Sequence, residues 1–384
     1  MTRKSLVILG STGSIGRQAL DIISRFPEQF EVIGLGAGEN VAFLKEQIEK
    51  FKPKVVCLKN PQDAEKVKNA FPNQLRVLAG EEGLIELACL KEADLVLMAL
   101  VGAVGLKPLL ASLQAKKRVA LANKEPMVMA GKFICDEAEK SGATLIPVDS
   151  EHSAIFQLLQ SRKKEEVKKV IISASGGPFR DKPLSELESV SIDEALAHPT
   201  WKMGRKISID SATLMNKALE LIEAKWFFQL EPSQLEVVIH PQSIVHSLVE
   251  MKDGAVFAHL SLPDMRIPIS YALFYPQRAE LDFPRLNLAQ IGRLEFYPAD
   301  YSRFPSLGLG FWALKQGKTL PVVMNAVNEI AVEAFLSGKI RFNRIVELVE
   351  EIMLEHEPFE PADLEDIIKV DEWARKRAKE LING

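Results

Sequence analysis

The sequence predicts an α/β protein of several domains: an N-terminal doubly wound parallel sheet, a central α+β region and a C-terminal helical bundle. Three observations carry this. Residues 1–148 alternate short apolar runs with helical patterns, which is how repeated β-α units read. Residues 149–275 turn to acid- and hydroxyl-rich motifs between fewer strands, and from Ser306 onward helical periodicity dominates. At 384 residues the chain also exceeds what one ordinary core holds.

The first apolar run is Leu6–Leu9. It leads into Gly10-Ser-Thr-Gly13-Ser-Ile-Gly16 and a helical pattern from Arg17 to Phe26. Strand, glycine turn and helix form the Rossmann-like context of a dinucleotide site. There the backbone can approach a pyrophosphate, and a helix N-terminus faces it. The spacing is G-x-x-G-x-x-G rather than G-x-G-x-x-G, and a tight turn without a ligand would use similar residues. Further strands are expected at Phe30–Leu35, Lys54–Leu58, Leu75–Leu78, Asp94–Ala99, Arg118–Ala122 and Ala143–Val148. Helices are expected at Val41–Phe51, Gly83–Lys91, Lys107–Ala115 and Met127–Ser141. Ligands of such sheets lie at the C-terminal strand ends. The second end, Leu35-Gly-Ala-Gly-Glu-Asn40, is where an adenosine ribose is read. An acid there, Glu39, suits the free 2′-hydroxyl of NAD, and it equally suits a solvated position near a helix start. The sixth end, Ala122-Asn-Lys-Glu125-Pro, is read as facing the nicotinamide half and the substrate, with a surface turn capped by Pro126 as the alternative.

Leu145 to His152 is the pivot of the chain. An apolar run ends in Asp149 and Glu151, which share one side if the run is a strand. Two acids so close need solvent, a proton or a cation between them. A helix is expected from Ala154 to Arg162 and a strand from Val167 to Ser173. That strand ends in Ser173-Ala-Ser-Gly-Gly-Pro-Phe179, where backbone N–H groups can converge on an anion. The polar, proline-broken segment from Arg180 to Arg205 reads as a lid carrying His198 and Trp201. Downstream, Asn216, Lys217 and Glu220 cluster on one helix face. This is either a surface ion pair or, with Ser175, His198 and Ser211, a phosphate clamp beside a metal carboxylate.

These motifs, together with Val-Asp-Ser-Glu-His152, His198-Pro-Thr-Trp-Lys-Met-Gly-Arg-Lys-Ile207, Asp-Ser-Ala-Thr213, Met-Asn-Lys217 and His240-Pro-Gln-Ser243, stand in one order. In that order the chain resembles the 1-deoxy-D-xylulose-5-phosphate reductoisomerases over essentially its whole length. The resemblance implies a homodimer that uses NADPH and a Mg²⁺ or Mn²⁺ ion to rearrange and reduce a phosphorylated sugar. It implies Asp149, Glu151 and Glu220 as metal ligands. It implies Lys124, Ser150, Glu151, Ser175, His198, Ser211, Asn216, Lys217 and Glu220 around the substrate, with Lys124, Glu151 and His198 managing protons. Thr12, Gly13, Ser14, Ile15, Gly38, Glu39, Asn40, Asn123, Glu125 and Gly204 fall to the cofactor. Glu39 departs from the family, which commonly has a basic residue there, and so leaves NADH open as an alternative.

Strand-like alternation continues over Ser243–Met251 and Ala255–Leu260, and such strands can extend a sheet across a dimer. Pro276–Pro298 is proline-rich and reads as a linker, so the expected divisions are 1–148 (NAD(P)-binding), 149–275 (catalytic, metal-binding and dimerising, with the lid at about 180–205), 276–305 (linker) and 306–384 (helical). Helices are expected at Ser306–Lys315, Val322–Ser337, Asn343–Met353 and Asp371–Leu381. On the second of these, Asn325 and Asn328 are read as buried polar contacts, and His240 as structural. A formal net charge of −4 without a long basic run gives nucleic-acid binding no support. There is no apolar stretch of membrane-spanning length and no signal-peptide pattern. The odd, scattered Cys57, Cys89 and Cys135 suit a reducing cytoplasm.

Overall fold

A computed structural model describes residues 3–384. The first sheet has seven parallel strands: β1 (Lys4–Leu9), β2 (Phe30–Ala37), β3 (Val55–Leu58), β4 (Arg76–Ala79), β5 (Leu95–Met98), β6 (Arg118–Leu121) and β7 (Leu145–Pro147). Their order is β4-β3-β2-β1-β5-β6-β7. The chain winds outward from β1 to β4, then returns beside β1 and winds the other way. The switch point therefore lies between β1 and β5, and ligands of open α/β sheets bind at the carboxyl ends there. Leu6, Val7, Ile8 and Leu9 are wholly buried, as a central strand covered on both faces requires. The helices between the strands are α1 (Ser14–Arg25), α2 (Val41–Phe51), α3 (Pro61–Ala70), α4 (Gly80–Ala88), α5 (Leu106–Gln114) and α6 (Glu125–Ser141); α7 (Ser150–Leu159) follows β7.

The second sheet has five mixed strands: β8 (Val167–Ala174), β9 (Leu235–Ile239), β10 (Val245–Met251), β11 (Val256–Leu260) and β12 (Tyr297–Pro298), in the order β11-β10-β8-β9-β12. Only β8 and β9 run parallel. Three helices lie between β8 and β9: α8 (Ile192–Leu196), α9 (Arg205–Ala212) and α10 (Met215–Phe228).

By contacts the chain forms two compact units. One comprises 1–126, 132–153 and 265–282; the other comprises 127–131, 154–264 and 283–384. The first contains the parallel sheet and a helix, Arg266–Phe274, whose Phe274 ring meets Phe26 and Phe30 edge-on at 4.9 Å. The second contains the mixed sheet and the C-terminal helices Pro305–Gln316, Leu320–Leu336, Phe342–Glu355 and Leu364–Asn383. Leu320–Leu336 is buried nearly all round, which explains its two asparagines. Asn328 Nδ2 donates to Asp210 Oδ1 at 2.8 Å and Asn325 Nδ2 to Glu329 Oε1 at 3.0 Å.

Four local expectations are corrected. First, β7 stops at Pro147 and helix begins at Ser150 rather than Ala154, so Asp149 and Glu151 are not alternate residues of a strand. Asp149 caps the helix instead: its Oδ1 accepts the Glu151 N–H at 3.3 Å, and its carbonyl accepts the Ser153 N–H at 2.7 Å. Second, Arg180–Arg205 is not irregular throughout. It holds a 3₁₀ turn at Leu184–Ser189 and α8, whose capping box is Ser191 with Glu194. Third, the segment Pro276–Pro298 contains a helical turn at Leu288–Ile291, and its end, Tyr297–Pro298, pairs with Ile239 and Val238. The last helix also starts at Leu364, seven residues before the expected Asp371, with Asp363 as its cap.

Candidate active site

In the first unit, the turn after β1 feeds α1. A Cβ built on Gly16 would lie 2.4 Å from the Gly10 carbonyl oxygen, so only glycine lets the helix start this close to the turn. Thr12, Gly13, Ser14 and Ile15 form that turn and the first residues of α1, at or near the surface. Gln47 of α2 fastens the turn from the side. Its Nε2 donates to the Ser11 carbonyl and its Oε1 accepts the Ser11 hydroxyl, both at 2.8 Å. Gly38, Glu39 and Asn40 are exposed beyond β2, with the Asn40 side chain capping α2 at the Phe43 N–H. Glu39 is paired with Lys59 at 3.3 Å.

Beyond β6, Asn123, Lys124 and Glu125 are all buried, which a surface turn would not be. Asn123 Nδ2 donates to Glu125 Oε2 at 2.5 Å, while Asn123 Oδ1 is buried with no hydrogen-bond partner among the described residues. That orphaned acceptor lies beyond the carboxyl end of β6, against the Gly102–Gly105 turn that follows β5, and it fits a carboxamide-bearing nucleotide. Lys124 Nζ lies 2.8 Å from Asp149 Oδ2, both side chains nearly covered, and His152 Nδ1 lies 3.7 Å from Asp149 Oδ1. Burial alone would raise the Asp149 carboxyl. The Lys124 ammonium and His152 outweigh that and hold it well below the usual carboxylate range. The Ser150 hydroxyl donates to Glu151 Oε2 at 2.5 Å. Sequence reasoning missed two things here: that Lys124 is the partner of Asp149, and that His152 stands on Asp149's other oxygen. The i, i+3 spacing of Asp149 and His152 was the available signal for the second.

In the second unit, β8 delivers Ser175 to a turn in which Gly176 and Gly177 have positive φ (87° and 66°). A Cβ on Gly177 would sit 2.6 Å from the Ser211 carbonyl oxygen, so this loop is packed directly on the end of α9. Ser211 thus stands beside the Ser175 turn, and Leu214, in the left-handed region, reverses the chain into α10. There Asn216 Nδ2 and Lys217 Nζ both donate to the Glu220 carboxylate. Lys217 and Glu220 are buried. The trio is therefore an interior cluster and not a surface ion pair.

His198 hangs over the same turn, with Nε2 2.9 Å from Ser175 Oγ. Its Nδ1 accepts two backbone N–H groups, from Thr200 at 3.1 Å and Trp201 at 2.9 Å. An Nδ1 that accepts twice carries no proton, so the neutral ring holds its hydrogen on Nε2 and donates it to Ser175. Burial pushes the imidazole down to about 4. Ser175 Oγ also accepts the Gly177 N–H at 3.1 Å, which leaves its own hydrogen available to a ligand. Gly204 precedes α9 and its carbonyl accepts from the Ser208 backbone. His240 Nδ1 is bonded to the Glu295 carbonyl at 2.8 Å, and its ring stacks on Phe296.

Three family models match: 1-deoxy-D-xylulose 5-phosphate reductoisomerase over residues 6–131, its C-terminal domain over 145–228, and the DXP reductoisomerase C-terminal domain over 260–377. A reductoisomerase of Chlorobium phaeovibrioides is 48% identical across 99% of this chain and 100% of its own length. The chain belongs to the 1-deoxy-D-xylulose 5-phosphate reductoisomerase family. The Pelotomaculum thermopropionicum reductoisomerase is 50% identical over 99% of this chain and 98% of its own. Among solved reductoisomerases, that of Zymomonas mobilis in complex with NADPH superposes with a TM-score of 0.92 at 41% identity, covering 99% of both chains. Another, in complex with NADPH, fosmidomycin and magnesium, reaches 0.95 at 40% identity, covering 99% of this chain and 98% of that one. The sequence-based assignments of family and of fold class both hold.

Proposed function

We infer that the protein converts 1-deoxy-D-xylulose 5-phosphate to 2-C-methyl-D-erythritol 4-phosphate, using NADPH and a divalent cation. The observation that carries this is full-length likeness to reductoisomerases, including one solved with NADPH, fosmidomycin and magnesium, in a chain that has all three candidate carboxylates. When bound, the cation supplies Lewis-acid stabilisation of the substrate's oxygens during skeletal rearrangement, and the nicotinamide supplies hydride.

The chain's own residues divide the remaining work. Asp149, Glu151 and Glu220 hold the cation. Their oxygens are the ligands a hard ion such as Mg²⁺ or Mn²⁺ prefers, and Asp149 stays ionised beside Lys124. Lys124, Ser150 and Glu151 face the reacting end of the substrate. Ser175, Ser211, Asn216, Lys217 and His198 bind its phosphate and hydroxyls, supported by the spare hydroxyl hydrogen of Ser175 and the packing of its turn on Ser211. His198 serves as a neutral N–H donor, because both ring nitrogens are committed. Proton management is thereby left to Lys124 and Glu151. Binding the phosphate far from the reacting carbons supplies energy that orders the lid over them. Thr12–Ile15, Gly38–Asn40, Asn123, Glu125 and Gly204 serve the dinucleotide.

The protein works as a homodimer joined at β11, an edge strand with Val256 and Phe257 exposed. No helix among the described residues is long and apolar enough to cross a membrane. A reducing compartment suits its thiols, of which burial pushes Cys57 up to about 12 and Cys135 up to about 11. The test is NADPH consumption with 1-deoxy-D-xylulose 5-phosphate, with and without EDTA. Turnover should need both substrate and free divalent metal. Consumption that survives chelation, or none at all with metal present, would refute the assignment.

A further inference from the structure

Resting on the nucleotide reading above, one question follows from Glu39. NADPH differs from NADH by a phosphate on the adenosine 2′ oxygen, and in this fold that oxygen is read at the end of β2. There the chain carries a carboxylate, which repels a phosphate. We propose that the 2′-phosphate is held by Arg17 and Lys59, two cations delivered from the elements on either side of β2, and that Glu39 is neutralised in place by Lys59.

The strands set the arrangement. β1 pairs with β2 at Leu9 and Gly36, and β2 with β3 at Ala37 and Leu58. Neighbouring strands stand about 4.8 Å apart, so the three carboxyl ends form one short ledge. The turn after β1 leads into α1, which carries Arg17. The turn after β2 presents Glu39, and Lys59 is the first residue after β3. Arg17 is exposed, but its guanidinium is held in place. Its guanidinium lies 4.0 Å from the centre of the Phe43 ring in the first turn of α2, and its Nε donates to the Thr12 carbonyl at 2.7 Å. Stacking and that single bond fix the plane of the group between the glycine turn and α2. Its two terminal nitrogens have no protein partner among the described residues. A guanidinium with its plane held and its fork unspent is suited to a phosphate. Gln47 also ties α2 to Ser11 by two hydrogen bonds.

Lys59 completes the argument. Its ammonium lies 3.3 Å from Glu39 Oε1, with the side chains 68% and 74% exposed. Such a surface pair is weak and easily exchanged. An ammonium has three donors, so Lys59 can meet a phosphate carrying close to two negative charges while it stays beside Glu39. Arg17 and Lys59 together exceed Glu39 by one positive charge, so the ledge as a whole favours the phosphorylated cofactor.

Equilibrium titration of the full-length protein, following NADPH and NADH fluorescence without substrate, tests this. Competition by adenosine 2′,5′-bisphosphate and by 5′-AMP isolates the ribose end. Arg17→Ala should weaken NADPH and the bisphosphate about ten- to a hundredfold, the scale of a lost charge-assisted bond, and move NADH and 5′-AMP less than about threefold. Lys59→Ala should weaken NADPH about three- to tenfold, and adding Glu39→Gln to it should restore most of that loss. Arg17→Lys should bind NADPH better than Arg17→Ala, which separates charge from folding. Equal loss of both dinucleotides in Arg17→Ala, or an unchanged ratio in every variant, would overturn the proposal while leaving the cofactor assignment intact. Failure of the unaltered protein to bind either dinucleotide would overturn both, and tighter binding of NADH than NADPH would overturn this one.

Discussion

At single residues, burial decides what each candidate can do. Glu220 is fully covered and takes hydrogen bonds from Asn216 and Lys217. Glu220→Gln keeps the shape and removes the charge. We expect kcat to fall at least about a hundredfold while NADPH affinity stays within about twofold, since a lost metal ligand affects chemistry and not nucleotide binding. Parallel loss of both in a dinucleotide titration would make Glu220 a structural residue. His198 gives a second test through its tautomer. ¹⁵N NMR of the ring should show Nε2 protonated and Nδ1 bare at neutral pH, and His198→Gln, which still offers a donor, should retain more activity than His198→Phe. Stability carries the same information. The folded pKa of about 4 lies below the ordinary 6.5, so on acidification the unfolded chain takes this proton first. The stabilising contribution is whole above about 6.5 and is lost as the pH falls toward about 4. The urea-midpoint advantage of the unaltered protein over His198→Gln should shrink across that window. A gap that stays constant would mean that His198 titrates freely in the native state.

At the scale of elements, what was legible is what depends on neighbours in the chain. The inner parallel strands show as apolar runs because a strand covered on both faces needs apolar residues throughout, and the glycine turn shows because α1 must begin against the Gly10 carbonyl. One error arose where a single residue served two elements. Asp149 ends an apolar run and also caps α7, and alternation cannot signal the second role. Within the lid, prolines and charges masked α8, although Ser191-x-x-Glu194 is a capping-box pattern. Long-range pairing, such as Lys124 with Asp149 or Gly177 with Ser211, leaves no periodic trace. Gly177→Ala tests the last of these. With φ at 66° and the Ser211 carbonyl 2.6 Å from the new Cβ, the turn must open. We expect a loss of about 1–3 kcal/mol in stability and a raised KM for the phosphorylated substrate, with the KM for NADPH near normal. An unchanged substrate KM would detach this turn from phosphate binding.

At the scale of the molecule, the mixed sheet raises a question of assembly. One edge, β12, is two residues long, and short edges protect a sheet from adding strands. The other, β11, is five residues long with Val256 52% and Phe257 41% exposed, and no strand of the described chain covers its outer side. Arg162 stacks on Phe257 with its guanidinium 3.9 Å from the ring centre, which shields one face of that residue but does not satisfy the strand's backbone. A second copy related by a two-fold axis would extend both sheets through β11 and bury the apolar side chains at once, an isologous contact. Phe257→Asp should then put a carboxylate on the edge that the second copy covers, where it loses its water without gaining a partner. We expect sedimentation equilibrium to report a dimer for the unaltered protein and a monomer, or a dimer weakened at least about a hundredfold, for Phe257→Asp. Far-UV circular dichroism should stay the same, because β10 still pairs with both β8 and β11 inside each chain. A monomeric unaltered protein, or a variant that dimerises as before, would remove β11 from the interface.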